Sequence, residues 1–214
     1  MNPPSPPRPS PTIAQLRAAL HALGAAPDGE GWNREELSGL VDADATLVAA
    51  AVLVGLVPRT GGLQVLLTRR NDDMRHHPGQ VSFPGGRIEP GDVDPVAAAV
   101  REAGEEIGLV PGQIQPLGYL DPLATITGFR VLPLVGIITP DYVARPDPRE
   151  VAEVFEVPLA YLLAPENLLR VAIDAGGRPR QVLEFVDRGM LGQRIWGATA
   201  SILFNLRERL RSTS

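Results

Sequence analysis

The segment from Asp94 to Leu109 constrains the fold more than any other part of the chain. Asp94 is a typical helix N-cap, Pro95 suits the first helical position, and Gly108 is a typical C-terminal stop. Apolar residues recur on one face between these two ends, and they are Val96, Val100, Ala103 and Ile107. The pattern predicts an amphipathic helix that packs against a sheet.

The same helix carries three glutamates, Glu102, Glu105 and Glu106, at the spacing i, i+3 and i+4. Their side chains should leave one face, where like charges destabilise an isolated helix by a few tenths of a kcal/mol per pair. A solvated acidic face steadied by Arg101 is one interpretation. A divalent cation such as Mg²⁺ or Mn²⁺, which prefers carboxylate oxygens, is the other. Gly104 is costly inside a helix, so it suggests the close approach of another group.

The remaining hydrophobic patterns predict an α/β fold in which a sheet of mixed strands is sandwiched between helices. Strands are predicted at residues 45–57, 63–70, 79–86, 115–120, 129–139 and 182–186. Helices are predicted at residues 12–24, 33–40, 158–163 and 195–210, besides the helix described above.

Length and composition favour one ordinary globular domain. The chain has 214 residues, of which 44% are hydrophobic and 21% charged. We expect a disordered proline-rich tail at residues 1–11 and a single domain at residues 12–214 with its core at about 45–210. The apolar run from Ala45 to Val57 falls short of the roughly 20 residues that span a bilayer, so no membrane partner is predicted.

The net charge and the absence of cysteine exclude two further classes. A net charge of −5 argues against nucleic-acid binding, which needs a basic surface. A chain without cysteine has neither disulfides nor thiolate metal sites. We therefore expect a cytoplasmic protein with a small-molecule substrate. The oligomeric state stays open, with a homodimer as the assembly considered.

The stretch FPGGRIEPGDVDPVAAAVREAGEEIGL, residues 83–109, resembles the Nudix box of the Nudix hydrolases, and its REAGEEIGL end matches that pattern without a mismatch. The resemblance implies a Nudix α/β/α sandwich with a mixed sheet and a loop–helix–loop catalytic motif. It further implies Mg²⁺ or Mn²⁺ bound by Glu102, Glu105, Glu106 and a carbonyl of Gly86. Glu105 would be a further ligand or the base that activates water, and Arg101 would orient a glutamate.

One part of the box departs from the family pattern, because the loop before the helix is one residue longer than usual. The family glutamate should lie eight residues before the arginine, which is Val93 here, or six after the loop glycine, which is Asp92. The roles of Asp92 and Glu89 therefore stay open.

The preceding stretch LLTRRNDDMRHHPGQVSFPGG, residues 66–86, is similar to the extra signature of the coenzyme A diphosphatase branch of the Nudix family. That resemblance implies cleavage of coenzyme A or an acyl-coenzyme A to 3′,5′-ADP and 4′-phosphopantetheine or its acyl form. A basic cluster precedes the acidic helix and suits phosphate oxygens; it comprises Arg69, Arg70, Arg75, His76, His77 and Arg87. The residues expected to bind substrate are Arg70, Arg75, Gly85, Gly86 and Arg87.

Three points remain open after these resemblances. The substrate alternatives are another nucleoside diphosphate derivative, such as NADH or ADP-ribose. A Nudix-like binding module without catalysis is the alternative from another class, although all three box glutamates are present. An acidic residue outside the box can serve as base in this family; Glu150 and Glu153 are the candidates, and Glu153 is the one predicted to be catalytic.

Overall fold

The computed structural model describes residues 10–37, 45–74, 77–174, 179–189 and 191–213. Its helices are α1 (Ile13–Ala19), α2 (Pro95–Ile107), α3 (Leu159–Leu163) and α4 (Gly197–Ser212). Its strands are β1 (Val48–Arg59), β2 (Gly62–Arg70), β3 (Val81–Ser82), β4 (Gly85–Arg87), β5 (Ile114–Tyr119), β6 (Leu123–Ala124), β7 (Phe129–Ile138), β8 (Val151–Pro158), β9 (Leu168–Asp174) and β10 (Pro179–Phe185). No helix within these ranges is long and apolar enough to cross a membrane.

Strand β1 is the centre of a mixed sheet. It runs parallel to β7, with Val48 opposite Phe129 and Leu56 opposite Ile137, and antiparallel to β2 and β4. The order across the sheet is β3–β2–β1–β7–β5, while β8 pairs with β2 and β6 pairs with β7. Strands β9 and β10 form a separate antiparallel hairpin. The predicted mixed sheet is confirmed.

Helices cover both faces of this sheet and enclose two hydrophobic cores. One core contains Leu16 of α1, Leu162 of α3 and Leu203 of α4, so these helices share a face. The other core contains Ala103 and Ile107 of α2, both fully buried. Burial of apolar side chains from helix and sheet is the main stabilising contribution to such a layered fold. The predicted α/β/α sandwich is therefore confirmed.

The first helix is shorter than its pattern predicts. The apolar spacing extends to residue 24, but α1 ends at Ala19 and Leu20 already has an extended backbone. Beyond it, His21 exchanges backbone hydrogen bonds with Tyr119 of β5. Strand pairing with a distant residue therefore overrides the local helix signal. The predicted helix at residues 33–40 is a single 3₁₀ turn, Arg34–Leu37, and residues 38–40 lie outside the described ranges.

Strands β8 and β9 have no counterpart in the sequence prediction. Strand β8 places Glu153 and Glu156 among its residues, and its burial does not alternate regularly. It lies at an edge of the sheet with only β2 as a described neighbour. A strand that is half exposed in this way lacks the clear alternation on which strand prediction depends.

Helix α2 has the boundaries that its capping residues predict. The Asp94 carboxylate accepts a hydrogen bond of 2.7 Å from the Ala97 amide, and Gly108 takes the left-handed conformation at φ 72°. Gly104 is explained by the returning chain, since a Cβ there would lie 3.1 Å from the Leu109 carbonyl oxygen. The close neighbour of Gly104 is thus the end of its own helix.

Replacing Asp94 by alanine should lower the free energy of unfolding by about 1 kcal/mol, because the first turn of α2 loses its side-chain acceptor. Thermal denaturation followed by circular dichroism measures the change. Asp141→Ala, at an exposed position, is the matched control and should leave stability unchanged. Equal stability of both variants would contradict the capping role of Asp94.

Candidate active site

The three glutamates of helix α2 differ in their exposure to solvent. Glu106 is buried, with 4% of the residue exposed, and Glu102 has 15% of its side chain exposed. The Glu105 side chain is 61% exposed. The two inner carboxylates face the turn at Gly85 and Gly86, whereas Glu105 lies at the solvent edge of the same helix face.

The guanidinium group of Arg101 connects Glu102 and Glu105 to the preceding loop. Its Nη1 donates to Glu102 at 3.0 Å and to Glu105 at 3.1 Å. Its Nε and Nη2 donate to the two oxygens of Asp92, each at 3.0 Å. Nη2 also donates to the carbonyl of Arg87. Arg101 therefore links Glu102 and Glu105 to Asp92 through hydrogen bonds.

Asp92, and not Val93, is the residue of the longer loop that contacts Arg101. The Asp92 side chain is 6% exposed and accepts from Arg101 and from the Glu89 amide, whereas Val93 is 90% exposed. The hydrogen bonds from Arg101 hold the pKa of Asp92 below its ordinary value. Asp92 is thus the residue that anchors Arg101, and Glu89 contributes its backbone amide. The extra residue is accommodated by turning Val93 into solvent.

Two adjacent glycines form the turn beneath the carboxylates. Residues Gly85–Arg87 pair with Ala50–Val52 of β1, and a Cβ on Gly85 would lie 2.5 Å from the Ala51 carbonyl oxygen. A Cβ on Gly86 would lie 2.4 Å from a carboxylate oxygen of Glu102. The first glycine lets the backbone meet β1, and the second leaves space for the Glu102 carboxylate.

Burial and neighbouring charges shift the pKa values of the two inner carboxylates, Glu102 and Glu106. Loss of solvent raises the pKa of Glu106 to about 8; Glu102 and Glu150 also raise it, while Arg70 and the Gly85 amide favour the charged form. Burial likewise raises the pKa of Glu102 despite the opposing effect of Arg101. Carboxylates crowded in this way gain from a cation, which favours their charged forms.

Glu150 is brought to this site by contacts between distant segments. The Asp147 amide donates to the carbonyl of Glu106 at the end of α2. Asn71, just after β2, donates its side-chain amide to Pro148 and its backbone amide to the Glu150 carbonyl. The negative charge of Glu150 raises the pKa of both Glu102 and Glu106.

Glu153 has different neighbours from Glu150. Its carboxylate accepts from the Gln193 side chain at 2.9 Å and lies 4.0 Å from Nε of Arg69. Arg69 is also paired with Asp72. The predicted catalytic role of Glu153 stays a prediction. Glu150, the other candidate, is among the charges that raise the pKa of Glu102 and Glu106.

The donor atoms of the site fit a hard divalent ion. Glu102 and Glu106 offer carboxylate oxygens, and the turn containing Gly86 offers a carbonyl. Within the described ranges, no three acidic or histidine side chains converge into a complete metal cage.

The predicted substrate-binding arginines occupy separate places. Arg70 lines a cavity of about 400 Å³, and its buried Nε has no hydrogen-bond partner among the described residues. His77 lines the same cavity. The Arg87 guanidinium lies over the Phe129 ring at 5.5 Å instead. Arg75, predicted to bind substrate, and His76 lie outside the described residues.

Comparison with known proteins gives consistent matches. The family model for the NUDIX domain matches residues 46–173. An uncharacterized Nudix hydrolase, NudL of Enterobacter sp. (strain 638), is 42% identical over 159 residues, covering 73% of this chain and 80% of that protein. NudL of Escherichia coli (strain K12) is 39% identical over 160 residues with the same coverage. The structure of RenU, a Nudix hydrolase from M. smegmatis, is 28% identical with a TM-score of 0.46, covering 52% of this chain and 71% of RenU.

The two glycines should respond differently to alanine. Gly85→Ala places its Cβ against the β1 backbone and should cost about 2 kcal/mol or more of stability. Gly86→Ala meets only the end of the Glu102 side chain, so stability should change by less than about 1 kcal/mol. Displacing that carboxylate should weaken Mn²⁺ binding about tenfold or more. Thermal denaturation and titration calorimetry with Mn²⁺ measure both; unchanged Mn²⁺ affinity in Gly86→Ala would contradict the role of Glu102.

Proposed function

This chain belongs to the Nudix family and is a hydrolase that acts on a nucleoside diphosphate derivative; we propose that its substrate is coenzyme A or an acyl-coenzyme A. The observation that carries this proposal is the position of Arg70, a member of the second signature. Arg70 lines the 400 Å³ cavity, and its positive charge lowers the pKa of Glu106. The residues that resemble the coenzyme A branch thus adjoin the residues of the Nudix box.

The proposed metal ligands are Glu102, Glu106 and the carbonyl of Gly86, with Glu105 as a further ligand or the base. Nudix hydrolases generally use divalent metal ions, and we propose Mg²⁺ or Mn²⁺ here. Such an ion neutralises charge that develops on the diphosphate and orients it for attack. Glu105 has the solvent exposure that a ligand or base reached through water would need.

The remaining residues bind, orient and move protons. Arg70 is proposed to hold a diphosphate oxygen, because its guanidinium is always charged and its Nε is unpaired. Arg101 holds Glu102 and Glu105 without contacting substrate. Water attacks one phosphorus, the anhydride P–O bond breaks, and a carboxylate takes the proton of the water. The products are 3′,5′-ADP and 4′-phosphopantetheine or its acyl form.

A substrate panel tests this proposal directly. Purified protein with Mg²⁺ or Mn²⁺ should release 3′,5′-ADP from coenzyme A faster than it cleaves NADH, ADP-ribose or 8-oxo-dGTP, with products resolved by chromatography. Removal of the metal by EDTA should abolish turnover. Turnover of a different diphosphate alone would overturn the coenzyme A proposal, and no turnover of any compound would favour a binding module.

Substitution of single carboxylates tests the assignment of roles. Glu106→Gln should lower kcat about 100-fold or more while leaving the fold intact, because it removes a buried metal ligand. Exposed Glu166→Gln is the matched control and should be normal. Near-normal activity of Glu106→Gln would contradict the metal assignment.

The base outside the box is decided by a second pair of variants. Because the charge of Glu150 influences the pKa of both Glu102 and Glu106, Glu150→Gln should lower kcat by about tenfold to 100-fold. Glu153→Gln should lower kcat less. A larger loss in Glu153→Gln would instead support the role predicted from the sequence. The logarithm of kcat against pH distinguishes a base, whose removal eliminates the acidic limb of the profile, from a residue that only positions the loop.

A further inference from the structure

The cavity of about 400 Å³ shares Arg70 with the candidate active site, because Arg70 lines it and also lowers the pKa of Glu106. The β9–β10 hairpin contributes two further arginines, Arg170 and Arg180, to the cavity wall. The start of α4 and the loop after β6 form other parts of the lining. A volume of about 400 Å³ is enough for one half of a dinucleotide-sized ligand but not for all of it.

The charged residues of this cavity are mainly basic. Arg70, Arg170 and Arg180 line it, and among its described lining residues Glu36 is the sole carboxylate. The whole chain carries a net charge of −5, so this excess of positive charge is local. A cavity with this charge selects an anionic ligand.

Glu36 interacts with both arginines of the hairpin. Its carboxylate lies 3.9 Å from Nη1 of Arg170, and its backbone carbonyl accepts from Nη2 of Arg180. The Arg170 and Glu36 side chains are 57% and 54% exposed, so this ion pair is weak and solvent-screened. A phosphate dianion offers more charge and better acceptors than this carboxylate, and it would replace Glu36 at Arg170.

Part of the cavity wall is apolar and contains one indole. Ile126, Leu183 and Trp196 line it. The Arg194 guanidinium lies 4.5 Å from the centroid of the Trp196 ring, which keeps that ring in place. Aromatic rings of this kind stack on nucleobases.

Building on the proposed function, we infer that this cavity binds the 3′-phosphorylated adenosine half of the substrate, with Arg170 and Arg180 holding the 3′-phosphate. The pantetheine half is neutral beyond the diphosphate and would leave both arginines without an anion. A nucleotide with a second phosphate matches the basic and the apolar residues of the lining together. The hairpin is then a determinant of substrate specificity that is separate from the proposed metal ligands.

The first test compares 3′,5′-ADP with 5′-AMP by titration calorimetry in the absence of metal, so that catalysis is not needed. The wild-type chain should bind 3′,5′-ADP about tenfold or more tightly, as expected for a charge-assisted phosphate contact. Arg170→Ala and Arg180→Ala should each remove most of this difference without weakening 5′-AMP. Equal affinities in the wild-type chain would overturn the inference.

Glu36→Gln supplies a variant with the opposite expected sign. Loss of its negative charge should tighten 3′,5′-ADP about threefold to tenfold and leave 5′-AMP unchanged, because only the 3′-phosphate competes with Glu36. Exposed Arg17→Ala, outside the cavity, is the control for lost positive charge. If Arg17→Ala weakened 3′,5′-ADP as much as Arg170→Ala, a bulk charge effect would replace the proposed subsite.

The kinetic counterpart separates this inference from the proposed function. The KM of coenzyme A should be about tenfold below that of 3′-dephospho-coenzyme A, and Arg180→Ala should remove the difference while kcat stays within about twofold. If the wild-type chain cleaves both compounds with equal KM, the subsite is wrong and the proposed function stands. If it cleaves neither but binds 3′,5′-ADP selectively, the subsite stands and the proposed function fails.

Discussion

Arg101 joins the loop, helix α2 and the glycine turn through one guanidinium group. It donates to both oxygens of Asp92, to Glu102 and Glu105, and to the Arg87 carbonyl. A planar group with five N–H donors can satisfy these acceptors together, which a lysine ammonium cannot. Its fixed charge also counters the repulsion between carboxylates that share one helix face. The geometry of the candidate site therefore depends on this hydrogen-bond network.

A second set of contacts completes the site from the other end of the helix. The amides of Arg145 and Asp147 donate to the carbonyls of Ile107 and Glu106, which satisfies acceptors that a helix C-terminus leaves unpaired. Because this segment leads into β8, docking it on α2 also places Glu150 near Glu102 and Glu106. The need to satisfy backbone groups and the assembly of the acidic site are thus met by the same contacts.

Two neighbouring arginines of β2, Arg69 and Arg70, have different partners. Arg69 pairs with Asp72 and approaches Glu153, whereas Arg70 lines the cavity and acts on Glu106. Side chains that are adjacent in a regular strand point to opposite faces, which is compatible with the different partners of these two arginines. One charge is therefore neutralised within the protein, and the other remains available to an anionic ligand.

The sequence by itself determined the elements whose signals are local. The limits of α2 followed from Asp94, Pro95 and Gly108, and the glutamate spacing placed three carboxylates on one helix. Only the tertiary structure decided that Asp92 anchors Arg101, that α1 stops at Ala19, and that Arg170 and Arg180 border the cavity. The physical reason is that capping and helical periodicity act within a few residues, whereas burial, ion pairing and strand pairing depend on segments that meet only after folding.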